Sequence, residues 1–164
     1  MESIIGHQFP NPSIKGLQRS VLVTGGAGYV GSHCCKFLKK NGYVPIVIDR
    51  NLKNKPVAFG PSFDIDIPTN IQALDEIIKR YNITSCIHFA GSTSVPESVQ
   101  NPSLYYKNNF IVTMSLLDKS IDCGVKTFVY SSSAATYGAG ENGYSDDESR
   151  LKSLKPLNLY GDSK

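Results

Sequence analysis

Short apolar runs alternate with amphipathic stretches along this chain. Ser20–Thr24 is a compact apolar run that ends on glycines, the pattern of a strand buried on both faces. Tyr29–Asn41 carries Val30, Cys34, Phe37 and Leu38 as an apolar helical face, and Gly42 supplies a stop. Val44–Asp49 predicts a second strand with Pro45 near its start, followed by a loop over 51–61. Ser62–Ile67 predicts a short third strand. Ile71, Leu74, Ile77 and Ile78 recur at helical spacing within Ile71–Tyr81. Ser85–Ala90 predicts a fourth strand. Ser103–Cys123 predicts a long helix with Leu104, Phe110, Met114, Leu117 and Ile121 turned inward, ended by Gly124. Lys126–Ser131 predicts a fifth strand and 139–153 a polar loop. Leu157–Lys164 begins a helix at which the sequence stops. Strands alternating with helices imply a parallel sheet with helices on both faces, a doubly wound α/β domain.

Composition changes this picture little. The chain has 164 residues, 40% of them hydrophobic, which suits one domain with a real core. A net charge of +3 without a basic cluster argues against a nucleic-acid surface. No apolar run approaches the roughly 18 residues needed to cross a bilayer. Residues 1–19 lack the charged start and apolar middle of a signal peptide and read as a weakly structured leader or an extension of the first strand. Cys34, Cys35, Cys86 and Cys123 show no CxxC spacing, and His7, His33 and His88 do not stand at zinc-ligand spacing from them. They read as structural, with no metal expected. Reduced thiols and no export signal point to the cytoplasm.

The first chemical signal is a glycine loop. Gly26-x-Gly28-x-x-Gly31 fits the dinucleotide fingerprint, and Gly25-x-x-Gly28-x-x-Gly31 fits a second spacing of it. Glycines there allow a tight turn, let backbone amides approach a pyrophosphate, and let the helix pack on the strand. The helix from Tyr29 would aim its positive end at the phosphates. Asp49 closes the second strand 18 residues after Gly31, where an acid would bind the ribose hydroxyls of NAD and repel the extra phosphate of NADP. Arg50 beside it blurs that preference.

The second signal is Tyr160 with Lys164 four residues on, one helical face if the helix continues. An ammonium beside a phenol favours the phenolate, which suits a base near neutral pH. The pair follows the fifth strand, and Ser131-Ser132-Ser133 stands at that strand's carboxyl end, where sites in such sheets lie. The three hydroxyls can hold a substrate oxygen or merely cap their own backbone.

With these residues placed, the chain resembles the extended short-chain dehydrogenase/reductase superfamily, and within it the UDP-glucose 4-epimerase branch. The resemblance runs from Ser20 to Lys164. It rests on Val23–His33, Ile87–Gly91, Pro96–Gln100, Tyr105–Asn109, Ser131–Gly138 and Tyr160–Lys164. It implies a Rossmann-type fold over 20–164, truncated after the fifth strand and the start of the catalytic helix, with a C-terminal substrate domain absent. It implies NAD as cofactor. Gly25, Gly28, Tyr29, Val30 and Gly31 would lie at the pyrophosphate, Asp49 at the ribose, and Asp66-Ile67 at the adenine, with Asp64-Ile65 a rival alignment. Phe89, Ala90, Gly91 and Asn108 would line the cofactor. Ser133 would bind the sugar's 4-oxygen, Tyr160 would be the base, and Lys164 would hold the nicotinamide ribose.

The activity so implied is 4-epimerisation of a UDP-hexose through a 4-keto sugar. Tyr160 would take the 4-hydroxyl proton while hydride leaves C4 for NAD and later returns to the opposite face. Three departures stand out: Thr93 where the family often has Lys, Ile111-Val112-Thr113 where it has Asn-Gly-Thr, and the chain's length. Val for Gly at a close contact costs about 1–3 kcal/mol. The expected partners are a UDP-sugar and either a complementing C-terminal chain or a second copy. The chain alone is expected to lack epimerase turnover. Alternatives left open are a non-catalytic NAD-binding remnant or split-gene fragment, and a nucleotide-sugar dehydratase or other epimerase.

Overall fold

The computed structural model describes residues 19–50, 52, 59–139 and 155–164. The leader up to residue 18, most of the 51–58 loop and most of the 139–153 loop lie outside the described residues. Two compact units result. One holds the described residues up to Ala90 together with Ser115–Tyr130, and the other holds Gly91–Met114 with the described part of 131–164.

The first unit is built on a five-stranded sheet of order β3-β2-β1-β4-β5, parallel throughout. Its strands are β1 (Arg19–Thr24), β2 (Tyr43–Asp49), β3 (Ser62–Asp64), β4 (Ser85–His88) and β5 (Thr127–Tyr130). β1 is central, and its Ser20 to Thr24 are all buried. That is why its sequence is a continuous apolar run and not an alternation. Val23 faces Val47 on one side and Ile87 on the other, while Leu22 faces Ile46 and Cys86. Successive side chains point to opposite faces, so Val21, Val23 and Val47 form one core with Cys35, and Leu22, Ile46, Ile48 and Cys86 are buried on the other. β3 pairs only with Val47–Asp49, so Pro45 sits where β2 has a neighbour on one side, a placement strands tolerate for proline. β3 is shorter than its sequence run suggests. Ile65 still donates its N–H to the Asp49 carbonyl, and Ile65 and Ile67 are core residues beyond it.

Helix α1 (Tyr29–Lys40) ends at Asn41, with Gly42 in the left-handed region at φ +79°. Its buried face is not the one the hydrophobic spacing predicts. Gly31 and Cys35 are buried and Leu38 packs on the core, whereas Val30 and Phe37 are exposed. A backbone contact sets the rotation: a Cβ on Gly31 would fall 2.2 Å from the Gly25 carbonyl oxygen. Helix α2 (Ala73–Arg80) buries Leu74, Ile77 and Ile78 as expected.

A separate short helix, α3 (Val95–Gln100), precedes the predicted long helix, Ser103–Cys123, which is continuous as α4 (Pro102–Tyr105), a π-helical turn (Tyr106–Ile111) and α5 (Val112–Asp122). Here the expected inner face is wrong. Leu104, Phe110, Met114 and Ile121 are exposed, and Leu117 is only half-buried. Tyr105, Asn109, Val112, Leu116 and Ser120 are the buried stripe. The stripe contains polar side chains whose partners hydropathy does not reveal. The Tyr105 hydroxyl donates to Glu97 at 2.8 Å, and the Asn109 amide is bonded on both of its polar atoms. Val112 lies inside this stripe.

Candidate functional site

In the first unit, the loop after β1 is closed by contacts that only glycine permits. Gly25 has φ +69°, and a Cβ there would fall 2.6 Å from the Ala90 nitrogen. Its N–H donates to the Ile48 carbonyl at 2.8 Å. The loop therefore lies between the ends of β2 and β4. Gly28 caps α1 without a side chain, so the first N–H groups of the helix, at Tyr29, Val30 and Gly31, have no intrahelical partner. A Cβ on Gly28 would meet only the Gly25 oxygen, at 3.2 Å, and nothing else within 4 Å. The result is a row of amides without intrahelical partners at a helix N-terminus, which suits a phosphate. The residues present thus fit the pyrophosphate of a dinucleotide.

Asp49 stands at the end of β2. Its Oδ2 accepts the Ala27 N–H at 3.0 Å and its Oδ1 accepts the Arg50 N–H at 2.8 Å. The carboxylate is thereby held against the glycine loop. Asp64 is the partner of Asp49 in the β2–β3 register, is exposed, and accepts the Leu52 N–H at 3.1 Å. Asp66 is half-buried and accepts from the Thr69 hydroxyl at 3.1 Å. The Ile67 side chain is in the core, so only its main chain is available to a ligand. Phe89 donates its N–H to the Thr24 carbonyl and packs on the core, and Ala90 abuts Gly25. Thr24 and His88 are both fully buried and share a hydrogen bond of 2.5 Å, with His88 stacked on Tyr130.

The second unit gathers Gly91, Asn108, Ser133, Tyr160 and Lys164. Tyr160 lies in α6 (Leu159–Asp162), whose N-cap Asn158 accepts the Gly161 N–H at 2.8 Å. Helical bonding continues past α6 to Ser163, whose N–H donates to the Leu159 carbonyl at 3.0 Å. The Lys164 N–H reaches back three residues to Gly161 at 3.3 Å, and the Ser163 hydroxyl donates to the Tyr160 carbonyl at 2.8 Å. These i to i−3 contacts tighten the last turn. The Tyr160 ring packs edge-on against buried Tyr105, with centroids 6.4 Å apart, and its N–H donates to Ser98 Oγ at 3.1 Å. The Tyr106 hydroxyl donates to Asp162.

Gly161 lets α6 approach the 3₁₀ turn Ala134–Tyr137, because a Cβ would fall 2.4 Å from the Ala135 oxygen. Ser133 caps that turn, its Oγ accepting the Ala135 N–H at 3.1 Å and its carbonyl accepting from Thr136. The hydroxyl proton of Ser133 is left to donate elsewhere, so the capping and substrate readings are compatible. A cavity of about 470 Å³ is lined by Ser132, Thr136, Tyr137, Gly161, Asp162 and Lys164, among others. Tyr160 and Ser133 are not among its lining residues. Burial holds the Lys164 ammonium below the ordinary lysine range. Asn108 donates to Ser92 Oγ at 3.0 Å. Asn109, Ser98, Gly161 and Ser163 were not singled out by sequence reasoning. An asparagine pair inside a largely apolar helix was the signal available.

A parallel sheet of order 3-2-1-4-5, a glycine loop after its central strand and an acid closing the next strand define the Rossmann-type α/β class. The model of the NAD dependent epimerase/dehydratase family matches residues 21–164, and the chain belongs to that family. It is 40% identical over 147 residues to a UDP-glucose 4-epimerase of Rhizobium leguminosarum bv. trifolii, covering 88% of this chain and 44% of that protein. It resembles the crystal structure of the Brucella ovis UDP-glucose 4-epimerase in complex with NAD, with TM-score 0.78, 38% identity, and coverage of 88% and 44%. The Thermotoga maritima enzyme with UDP-glucose gives TM-score 0.76, 33% identity, and coverage of 88% and 47%. The chain thus spans about half the length of the curated relatives it matches. Among the described residues, no helix is long and apolar enough to cross a membrane.

Proposed function

We propose that residues 20–164 form the NAD-binding domain of a UDP-hexose 4-epimerase, and that this chain supplies the cofactor half of the reaction. The observation that carries the reading is the row of amides at Tyr29–Gly31 without intrahelical partners, with the Asp49 carboxylate held against the same loop. The amides and the helix dipole would bind the pyrophosphate. Asp49 would accept from the adenosine ribose hydroxyls and repel a 2′-phosphate, which favours NAD over NADP. Asp66, with the Ile67 main chain, would border the adenine. Phe89, Ala90, Gly91 and Asn108 would line the rest of the cofactor.

The bound nicotinamide supplies a reversible hydride acceptor. Ser133 would donate to the sugar's 4-oxygen, and Tyr160 would remove and return the proton on that oxygen. Lys164 would hold the nicotinamide ribose, and its charge would favour the Tyr160 phenolate. On this reading the partners are a UDP-hexose and either a complementing chain or a second copy, in a cytoplasmic setting where thiols stay reduced. All four cysteines are free.

Calorimetric titration with NAD and NADP tests the cofactor step. Saturable NAD binding with weaker NADP binding is expected, and no binding of either sinks the reading. Conversion of UDP-galactose is then assayed with wild type and Tyr160→Phe. Turnover abolished by the substitution supports the epimerase assignment. No turnover by the chain alone is the expected result, and failure of an added C-terminal half of a UDP-glucose 4-epimerase to restore turnover points instead to a binding-only chain.

A further inference from the structure

Cys123 follows the last residue of α5, and its thiol donates to Asp75 Oδ1, on α2, at 3.0 Å. The Lys119 ammonium stands 3.2 Å from the same Oδ1 and 3.4 Å from Oδ2. It also donates to Gln72 Oε1 at 3.5 Å. The Cys123 N–H donates to the Lys119 carbonyl at 3.1 Å, so the two side chains, four positions apart, share a helical face. One carboxylate oxygen thus holds a thiol proton on one side and an ammonium on the other. Lys119 is only 16% exposed, while Cys123 is partly open to solvent. The cofactor reading uses none of these residues. Cys34 is a natural comparison: it is also partly exposed, but no carboxylate or amine is bonded to it among the described residues.

We propose that Cys123 and Lys119 are an oxidant-reactive pair organised by Asp75: a hydroperoxide joins them through a sulfenamide, a covalent S–N bond that thiols reverse.

The chemistry balances in two steps. Sulfur attacks one oxygen of hydrogen peroxide, the O–O bond breaks, and the thiol proton passes by way of Asp75 to the departing hydroxide. Cys123 becomes a sulfenic acid and one water leaves. Lys119 then gives a proton to Asp75 and attacks the sulfur as a free amine. The S–N bond forms, the S–O bond breaks, and the hydroxyl leaves as a second water. Thiol, ammonium and hydrogen peroxide give sulfenamide, two waters and one proton. Sulfur loses two electrons and the peroxide gains them. Sulfenic acids condense in this way with thiols and with backbone nitrogen, and an amine held at the same carboxylate is an equivalent nucleophile. Excess thiol cleaves the S–N bond to a mixed disulfide and the free amine, and a second exchange restores Cys123.

Asp75 sets the pace. Burial, and then the bond to Asp75, push the Cys123 thiol above its ordinary value, so free thiolate is scarce near neutral pH and oxidation proceeds through the shared proton. The Cys123 thiol and the Lys119 ammonium hold the Asp75 carboxyl below the ordinary carboxylate range, so it is ionised and able to accept. Lys79 is the rival amine, four residues after Asp75 on α2, and its charge also acts on Cys123.

Peptide mass analysis of the folded chain after hydrogen peroxide, with a protease that does not cut at lysine, tests this. The peptide holding residues 119 and 123 is expected to lose about 2 Da, to give no fragment ions between those residues, and to recover with dithiothreitol. Lys119→Arg keeps a cation for Asp75 but no primary amine, and should stop at a Cys123 sulfenic acid that dimedone traps. Asp75→Asn should slow the loss of the Cys123 thiol at least about tenfold, with Cys34 reacting as in wild type. Oxygen gained at Cys123 in wild type without loss of two hydrogens overturns the proposal. So does a link that persists in Lys119→Arg or that joins Lys79, and so does an unchanged rate in Asp75→Asn. Should Asp75→Asn fail to fold, Lys119→Arg decides alone.

Discussion

The α-carbon of Gly31 is pressed so closely against Gly25 that a methyl group on it would lie 2.2 Å from the Gly25 carbonyl oxygen and 2.8 Å from the Gly26 Cα. The obstacle is backbone on both counts, so it cannot be relieved by rotating a side chain. This contact sets the rotation of α1 about its own axis and holds the helix N-terminus at the loop.

Gly31→Ala is therefore expected to lower stability by about 1–3 kcal/mol or more and to weaken NAD binding as α1 is pushed off the loop. Urea unfolding and NAD calorimetry measure the two effects. A wild-type midpoint would show that the loop yields at no cost, against the packing described.

Gly161→Ala meets the Ala135 carbonyl oxygen at 2.4 Å. It should separate α6 from the 3₁₀ turn that Ser133 caps, with a stability loss of about 1–3 kcal/mol. Nuclear Overhauser contacts between residue 161 and Ala135 should disappear. Their persistence with unchanged stability would contradict the close approach.

Asp49→Asn keeps an acceptor for the Ala27 N–H but removes the negative charge. The preference for NAD over NADP should narrow by about tenfold, roughly 1.4 kcal/mol. Calorimetry with both dinucleotides decides, and an unchanged ratio would assign the discrimination elsewhere.

The buried thiols should make the fold sensitive to alkali. Burial pushes Cys35 and Cys86 from 9.0 up to about 12. Below pH 9.0 both states are protonated and the thiols contribute no pH dependence. Above it the unfolded chain loses protons that the folded chain keeps, so stability falls with rising pH until about pH 12. The slope is about 1.4 kcal/mol per pH unit for each thiol. Lys164 acts in the opposite sense: its pKa is lowered on folding, so its contribution rises with pH up to the ordinary lysine value. Unfolding measured across the alkaline range in wild type and Cys35→Ala should show a shallower fall in the variant. Equal slopes would refute the assignment.

The sheet and the glycine loop are legible in the sequence because burial on both faces leaves unbroken apolar runs, as in Val21–Val23 and Ile46–Ile48. The rotation of the helices is not. Val30 and Phe37 suggest one face for α1, but a glycine-to-backbone contact with no hydrophobic signature chooses another. In the long helical stretch two stripes compete. The one that goes inside carries Tyr105 and Asn109, whose hydrogen bonds to Glu97 and Ser92 join residues 8 and 17 positions apart. A hydropathy reading counts those polar groups against burial. The tyrosine–lysine pair is legible as a spacing, whereas the bond from the Ser163 hydroxyl to the Tyr160 carbonyl and the approach of Gly161 to Ala135 have no such signal.

The Thr24–His88 bond at the strand ends joins positions 64 apart, and β1 has β4 as one of its two neighbours. At about 5–20 residues per second of synthesis, β1 leaves the ribosome several seconds before its second neighbour exists. Until then Val21, Leu22 and Val23 can be covered on one flank only, by β2. The fold thus places its central strand early and completes its pairing late, so in the nascent chain its future centre is for an interval an open edge, of the kind that can template pairing with another chain.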